Sequence, residues 1–122
     1  MKNLVITGMD RDRAAVLAQS AAAGKLAITT ASDYDGALAL KRGAADYFVG
    51  ICQSGAGGAL ALAIGVLGST RCRTIAASGV APVDAQQLTE AVDAGVVAFG
   101  VAVEHIDQAI PRLVVALAGG GE

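Results

Sequence analysis

The residues whose types and spacing most clearly indicate binding or catalysis form a glycine-rich turn directly after a short apolar run. This turn is Cys52-Gln53-Ser54-Gly55-Ala56-Gly57-Gly58. Glycine allows a positive φ and lets a ligand approach the backbone closely. Free N–H groups at the start of a following helix favour an anion, such as a phosphate, a carboxylate or an enolate oxygen. No acidic residue of the turn would repel an anion. We therefore predict a ligand site formed by Gln53, Ser54, Gly55, Ala56, Gly57 and Gly58.

Cys52 is the candidate catalytic residue of this turn. A helix start lowers the pKa of a thiol because its amide dipoles stabilise the thiolate. A thiolate beside an oxyanion hole can take a proton from a carbon next to a carbonyl, or act as a nucleophile. The alternative is a small core residue, with glycines that serve only tight strand–helix packing. The turn is neither a Walker A loop, since no Lys-Ser/Thr follows, nor a full dinucleotide-binding fingerprint.

Three further segments carry candidate site residues. Asp10 and Arg11 follow the first apolar run; an arginine there could bind a phosphate or carboxylate, and solvated helix capping is the alternative. Ser78-Gly79 is a candidate for a second backbone anion site. His105 is the one histidine of the chain and a candidate catalytic acid–base group, with a surface or interface role as the alternative.

The elements that must position these residues follow from an alternation of short β-branched runs with alanine-rich stretches. We predict five strands, Asn3–Thr7, Leu26–Thr30, Tyr47–Ile51, Arg73–Ala77 and Val96–Gly100, each followed by a helix. The helices should cover 11–23, about 33–42, about 58–67, 84–93 and 104–118, with N-caps at Asp10, at Ser32 or Asp33, and at Asp84. Gly119 to Glu122 should form a frayed tail, and Pro111 should kink the last helix or delay its start.

This pattern predicts an α/β fold with three layers, in which helices cover both faces of a five-stranded parallel sheet of the Rossmann-like or flavodoxin-like type. In such a sheet, ligands bind beyond the carboxyl ends of the strands, near a switch in strand order. Every candidate site residue follows a predicted strand and therefore belongs to this edge. The length of 122 residues suits one α/β domain over 1–122.

Composition excludes several functional classes. Net charge is −2 with no basic cluster and only 3% aromatic residues, which argues against nucleic acid and anionic membrane surfaces as partners. The stretch from Tyr47 to Thr70 has no charged residue, but the turn divides it into a strand and a helix too short to span a membrane. No secretory signal begins the sequence, so we expect a cytoplasmic protein.

The cysteines and the histidine do not predict a metal. Two cysteines and one histidine fit no zinc-binding spacing, so we expect neither a metal nor another cofactor. Free thiols are expected in the cytoplasm. Cys72 precedes the fourth predicted strand, at the edge opposite the turn, and we expect it to be structural.

Two longer segments carry a family resemblance. They run from Ala45 to Gly68 around the glycine turn and from Val97 to Pro111. Together with Val5-Ile6-Thr7-Gly8 they resemble the uncharacterised bacterial YhfU-like family, whose members are about this long and have no established reaction. The resemblance covers most of the chain and implies no activity.

A more distant similarity is to the family of ribose-5-phosphate isomerase B and galactose-6-phosphate isomerase. It is carried by Ile51-Cys52-x-Ser54-Gly55-x-Gly57 and, later, by Val97-Ala98-Phe99-Gly100. The resemblance implies a five-stranded parallel sheet with helices on both sides. It also implies that Cys52 is the general base and that the turn amides stabilise an enediolate.

The sequence departs from that isomerase family at three places. Arg11 stands where the family has the histidine of an Asp-His pair, and Asp93-Ala94-Gly95 replaces an asparagine before the last strand. The family's C-terminal extension with phosphate-binding arginines has no counterpart. The resemblance therefore implies the fold more strongly than the isomerase activity.

Three hypotheses about function follow. In the first, the protein is an enzyme acting on a small anionic carbonyl compound such as a sugar phosphate, with Cys52 as thiolate and Arg11 or His105 as an auxiliary group. In the second, it is a non-catalytic metabolite-binding or regulatory module that uses the same anion site. In the third, it is a structural subunit whose helix over 57–67 packs against a copy of itself. A homo-oligomer is compatible with all three.

Overall fold

The computed structural model describes residues 1–120 and contains five parallel strands. They are β1 (Asn3–Gly8), β2 (Ala27–Thr30), β3 (Tyr47–Cys52), β4 (Cys72–Ala76) and β5 (Ala98–Ala102). The strand order is β2-β1-β3-β5-β4, and every neighbouring pair is parallel. The predicted fold class is confirmed.

Five α-helices connect and follow the strands. They are α1 (Arg11–Ala22), α2 (Asp33–Arg42), α3 (Gly58–Leu67), α4 (Ala85–Asp93) and α5 (Ile106–Gly120). The helices α2 and α3 pack on one face of the sheet, and α1, α4 and α5 pack on the other. Because both faces are covered, neighbouring residues of a central strand are both buried, as Phe48 and Val49 of β3 are.

Two helix starts form as their sequences predict. The Ser32 side chain accepts a hydrogen bond from the amide of Asp35 at the start of α2. The Asp84 side chain accepts from the amide of Gln87, whose side chain accepts in return from the Asp84 amide. This reciprocal arrangement is a capping box. Between Ser32 and Asp33, the sequence left open which residue caps α2, and it is Ser32.

The prediction that Asp10 caps α1 is wrong in its mechanism. Asp10 occupies the N-cap position, but its backbone is left-handed, with φ 52°, and its side chain makes no capping hydrogen bond. A capping side chain requires the extended backbone conformation found at Ser32 and Asp84. Asp10 therefore turns the chain into α1 without capping it.

The last strand and the last helix begin later than predicted. β5 starts at Ala98 rather than Val96, although the Val97 carbonyl, just before the strand, already accepts from the Phe48 amide of β3. A single 3₁₀ turn over Val103–His105 precedes α5. Pro111 lies inside α5, and the helix continues through Gly120, so the predicted tail at 119–120 is helical. The rest of that tail, 121–122, lies outside the described residues.

The strand order places a switch point between β1 and β3. From this pair the chain goes to β2 on one side, whereas on the other side it goes first to the edge strand β4 and then returns to β5, between β3 and β4. Two loops therefore border a crevice at the carboxyl edge, one after β1 and one after β3. The Met9 amide donates to the Ile51 carbonyl over 2.9 Å and joins the loop after β1 to the end of β3. Within residues 1–120, no helix is long and apolar enough to cross a membrane.

Candidate functional site

Cys52 is the last residue of β3, and its sulfur lies inside the glycine turn. The amides of Gly55 and Gly57 each donate a hydrogen bond to Cys52 Sγ over 3.1 Å. The Ser54 hydroxyl lies 3.7 Å from the same sulfur. Two N–H groups of the turn thus point at the sulfur of its own first residue.

The pKa of Cys52 reflects a competition between burial and these donors. Burial of the sulfur is the largest single influence and raises the pKa. The amide of Gly57, the hydroxyl of Ser54 and the amides of Gly55 and Ser54 stabilise the thiolate and together outweigh it. The net effect is a pKa below the usual value of 9.0, so Cys52 is more readily ionised than a free cysteine.

The same contacts show which turn amides already have acceptors. Besides the amides of Gly55 and Gly57, that of Ala56 is also engaged, because it donates to the Ser54 hydroxyl over 3.1 Å. The atom that the inner part of the turn surrounds is therefore the sulfur of Cys52. Gly58 begins α3, so its amide has no partner within the helix. Gln53 is exposed beside the turn.

Close backbone packing explains two of the glycines that hold the turn in place. Gly55 has φ +88°, and a Cβ there would lie 2.6 Å from the Ala76 carbonyl oxygen. A Cβ at Gly100, in β5, would overlap the Gly55 carbonyl oxygen. The Thr74 hydroxyl of β4 donates to that same carbonyl over 2.9 Å. The turn therefore packs directly against β4 and β5.

Ser78 and Gly79 lie beside the turn, but they bind a carboxylate of the chain itself. The Ser78 hydroxyl donates to Glu104 Oε1 over 2.6 Å, and the Gly79 amide donates to Glu104 Oε2 over 3.2 Å. These two bonds hold the pKa of Glu104 below its usual range. The Ser78 amide donates in turn to the Ser54 carbonyl over 3.0 Å. The two groups that the sequence predicted as a second anion site therefore donate to Glu104 of the chain itself.

Glu104 was not among the residues selected from the sequence. Its only signal there is its position next to His105 after the fifth predicted strand. A carboxylate at the start of a helix is usually explained by the helix dipole, so nothing in the sequence shows that it reaches Ser78.

His105 shares this edge of the sheet with Cys52, and its Nε2 is already engaged. That atom lies 3.0 Å from the Ala77 carbonyl oxygen and 3.6 Å from Glu104 Oε2. Both neighbours only accept hydrogen bonds, so Nε2 carries the proton. Nδ1 is then the ring atom that can exchange a proton with a ligand. Among the hydrogen bonds of the described residues, none joins His105 to Cys52.

Asp10 and Arg11 lie in the loop on the other side of the switch point. Asp10 is exposed and Arg11 is partly buried. Within residues 1–120, neither side chain has a hydrogen-bond or ion-pair partner. Arg13, two residues further along α1, instead pairs with Asp107 of α5. Arg11 is therefore the cation left available near the crevice.

Cys72 provides the contrast to Cys52. It is the first residue of β4, at the opposite edge of the sheet, and its Sγ lies 3.5 Å from the Gly68 carbonyl oxygen. Burial is the main influence and raises the pKa of this thiol. The sequence prediction that Cys72 is structural agrees with this placement.

Neither of two sizeable surface cavities lies at the turn. One, of about 580 Å³, lies at the amino edge of the sheet and is lined by Met1, Lys2, Lys25, Leu26, Asp46, Leu117 and Ala118. The other, of about 590 Å³, lies between α4 and α5. In the described part of the chain, no group of three or more His, Cys, Asp or Glu side chains is placed to hold a metal ion.

Comparison with known proteins agrees with the resemblance drawn from the two segments. The profile of the family described as "Protein of unknown function DUF2620" matches residues 2–117. The protein named "Uncharacterized protein YhfU" in Escherichia coli (strain K12) is 35% identical over 114 residues, which are 93% of this chain and 97% of that protein. The Shigella flexneri protein of that name shows the same identity and coverage.

Two solved structures share the fold. Ribose-5-phosphate isomerase B from Giardia lamblia superposes with a TM-score of 0.65 at 14% identity, over 98% of this chain and 92% of that one. The type B ribose 5-phosphate isomerase from Trypanosoma cruzi superposes with a TM-score of 0.66 at 12% identity, over 98% and 85% of the two chains. At these identities the likeness shows a common architecture.

Proposed function

Because the chain belongs to the DUF2620 family, whose description assigns no activity, we propose a function from the site: the protein binds a small anionic metabolite of the sugar-phosphate type at the Cys52–Gly58 turn and isomerises it, with Cys52 as general base. The observation that carries this proposal is the pair of amides, from Gly55 and Gly57, that donate to the Cys52 sulfur. The two isomerases of the same fold support the choice of substrate class.

The reaction needs a base whose charge can pass to the substrate. The Cys52 thiolate takes a proton from the carbon next to the substrate carbonyl, and the electron pair of that C–H bond forms the enediolate. The charge moves from sulfur to oxygen, so the amides that held the thiolate can now donate to the new oxyanion. The proton then returns from the Cys52 sulfur to the former carbonyl carbon, and the hydroxyl proton of the other enediolate oxygen passes to the oxyanion. A new carbonyl forms at the neighbouring carbon, and the isomerisation needs no redox partner.

Five other residues have auxiliary roles in this proposal. Arg11, which has no partner among the described residues, binds the phosphate as a charge-assisted donor. His105 exchanges a proton with substrate oxygens through Nδ1. Gln53 is exposed beside the turn and contacts the substrate hydroxyls. Ser78 and Gly79 act through the Glu104 carboxylate that they hold.

The test is proton exchange in D₂O, with ribose 5-phosphate as the first compound because of the fold neighbours. The wild-type protein should introduce deuterium at the carbon next to the carbonyl. Cys52→Ala should slow this exchange by roughly a hundredfold or more and leave ligand binding intact, while Cys72→Ala serves as the matched control and retains exchange. Undiminished exchange in the Cys52→Ala protein would refute the assignment. Binding without exchange in the wild type would favour the non-catalytic module.

We also propose that the protein self-associates through α3. No polar side chain lies between Gly58 and Leu67, and Leu62 and Ile64 are 38% and 39% exposed. A helix that is apolar on all sides is normally covered, and a second copy presents the same uncharged surface. Sedimentation of the wild type as a dimer, and of Leu62→Glu as a monomer, is the expected result. A monomeric wild type would contradict it.

A further inference from the structure

The Glu104 carboxylate links three loops at the carboxyl edge of the sheet. It lies in the 3₁₀ turn after β5 and accepts hydrogen bonds from Ser78 and Gly79, in the loop after β4. Through its amide, Ser78 also donates to the Ser54 carbonyl in the loop after β3. One carboxylate thereby connects the β5–α5 junction to the turn that surrounds Cys52.

The bonded groups are direct neighbours of those that contact the sulfur. The Ser54 carbonyl that accepts from Ser78 belongs to the same peptide unit as the Gly55 amide, which donates to Cys52 Sγ. A peptide unit is planar and rigid, so fixing its carbonyl oxygen also fixes the direction of its N–H group. On the other side of Gly55, the carbonyl accepts from Thr74. Both peptide units next to Gly55 are thus held from outside the turn.

We propose that Glu104 is a positioning residue, which fastens the loop after β4 through Ser78 and Gly79 and so keeps the amide of Gly55 directed at the Cys52 sulfur. This inference rests on the proposed function, in which Cys52 acts as a thiolate. It assigns Glu104 no contact with substrate. It also explains why an acidic residue lies near an anion site: its charge is held by a hydroxyl and an amide of the neighbouring loop.

A positioning role and a purely electrostatic role predict opposite results. If Glu104 were only a nearby negative charge, its neutralisation would stabilise the thiolate and lower the pKa of Cys52. If Glu104 positions the turn, Glu104→Gln weakens the donors to the sulfur and raises that pKa. Glutamine has an NH₂ group, which only donates hydrogen bonds, in place of one carboxylate oxygen. Its single oxygen can still accept from Ser78, but the side chain cannot accept from both Ser78 and Gly79 as the carboxylate does.

The experiment measures Cys52 alkylation by iodoacetamide as a function of pH, in a Cys72→Ala background so that one thiol reacts. In Glu104→Gln, the apparent pKa of Cys52 should rise by about one unit, and alkylation near neutral pH should slow by up to about tenfold. Ser78→Ala should shift the pKa in the same direction. The double variant should add little to either single change, because both remove the same link. Asp12→Asn removes a carboxylate from the first turn of α1 and should leave the profile close to that of the parent.

The outcomes separate this inference from the proposed function. If Cys52 titrates below 9.0 in the parent protein and its pKa is unchanged or lowered in Glu104→Gln, the positioning role is overturned. The proposed role of Cys52 as a thiolate is then unaffected. A parent protein that titrates at or above that value overturns the proposed function and the positioning role together. Thermal unfolding of each variant identifies any that fails to fold, and in that case Ser78→Ala supplies the deciding profile.

Discussion

At the scale of single residues, the main feature is that amides of the glycine turn donate hydrogen bonds to the sulfur of its first residue, Cys52. The sequence predicted where this turn lies, because its glycines follow a buried strand and precede a helix, a pattern that can be recognised from residue types alone. It could not show that the amides of Gly55 and Gly57 face Cys52, because their direction depends on backbone angles within the turn. The role of Glu104 was missed for a similar reason, since its partners lie 25 and 26 residues away in the chain.

Gly100 tests how closely the turn must approach the sheet. A methyl group there would overlap the Gly55 carbonyl oxygen, a backbone atom that cannot move alone. We expect Gly100→Ala to lower the free energy of unfolding by about 1–3 kcal/mol and to slow Cys52 alkylation. Chemical denaturation measures the first effect.

Gly65 provides the control for this substitution. It lies within α3, and a Cβ there would contact nothing within 4 Å. Gly65→Ala should stabilise the protein by roughly 0.5–1 kcal/mol, because alanine is the better helix former. If both alanine variants lost the same stability, the close approach at Gly100 would not be the cause.

At the scale of elements, the helix starts were more predictable than the strand boundaries. Ser32 and Asp84 cap their helices through contacts with residues three positions further along, so the signal is local in sequence. Asp10 is also an aspartate just before a helix, but its side chain makes no capping hydrogen bond, because its backbone adopts a left-handed conformation after β1. The start of β5 was displaced by two residues because Val96 and Val97 are as apolar as the strand itself, so hydrophobicity alone cannot separate them.

The two aspartates allow a direct test of this difference. Asp84→Ala should lower the free energy of unfolding by about 1 kcal/mol, since it removes the capping box at α4. Asp10→Gly should leave stability unchanged or raise it, because glycine adopts a left-handed conformation without steric cost. Urea titrations of both variants supply the comparison. A larger loss from Asp10→Gly than from Asp84→Ala would contradict the geometry described above.

At the scale of the whole molecule, the charged side chains are divided unevenly between the two edges of the sheet, and acids outnumber arginines at the carboxyl edge. The carboxyl edge carries Arg11 and Arg13 against a larger set of acids at helix starts: Asp10, Asp12, Asp33, Asp35, Asp84, Glu104 and Asp107. Acids at helix starts stabilise the helices, but they also oppose an anionic ligand. The fold class was predictable from the alternation of elements, whereas this partition becomes visible only when the loops are assembled at one edge.

Removal of one such acid should therefore help an anionic ligand to bind. We expect Asp35→Asn, at the start of α2, to raise the affinity for ribose 5-phosphate by about two- to fivefold at low ionic strength, an advantage that salt should screen. Asp93→Asn, at the end of α4 and the opposite edge, should leave the affinity unchanged. Calorimetric titrations at two salt concentrations give the comparison. Equal effects of the two substitutions would place the ligand elsewhere.

The central claim is that the turn holds Cys52 as a thiolate, and the most direct test is its ionisation. Thiolate absorbance followed against pH, as the difference between the wild-type protein and Cys52→Ala, isolates this one group from Cys72. The hydrogen bonds from Gly55, Gly57 and Ser54 predict half-ionisation below the ordinary value of 9.0. Half-ionisation at or above that value would contradict the claim and leave Cys52 a packed core residue.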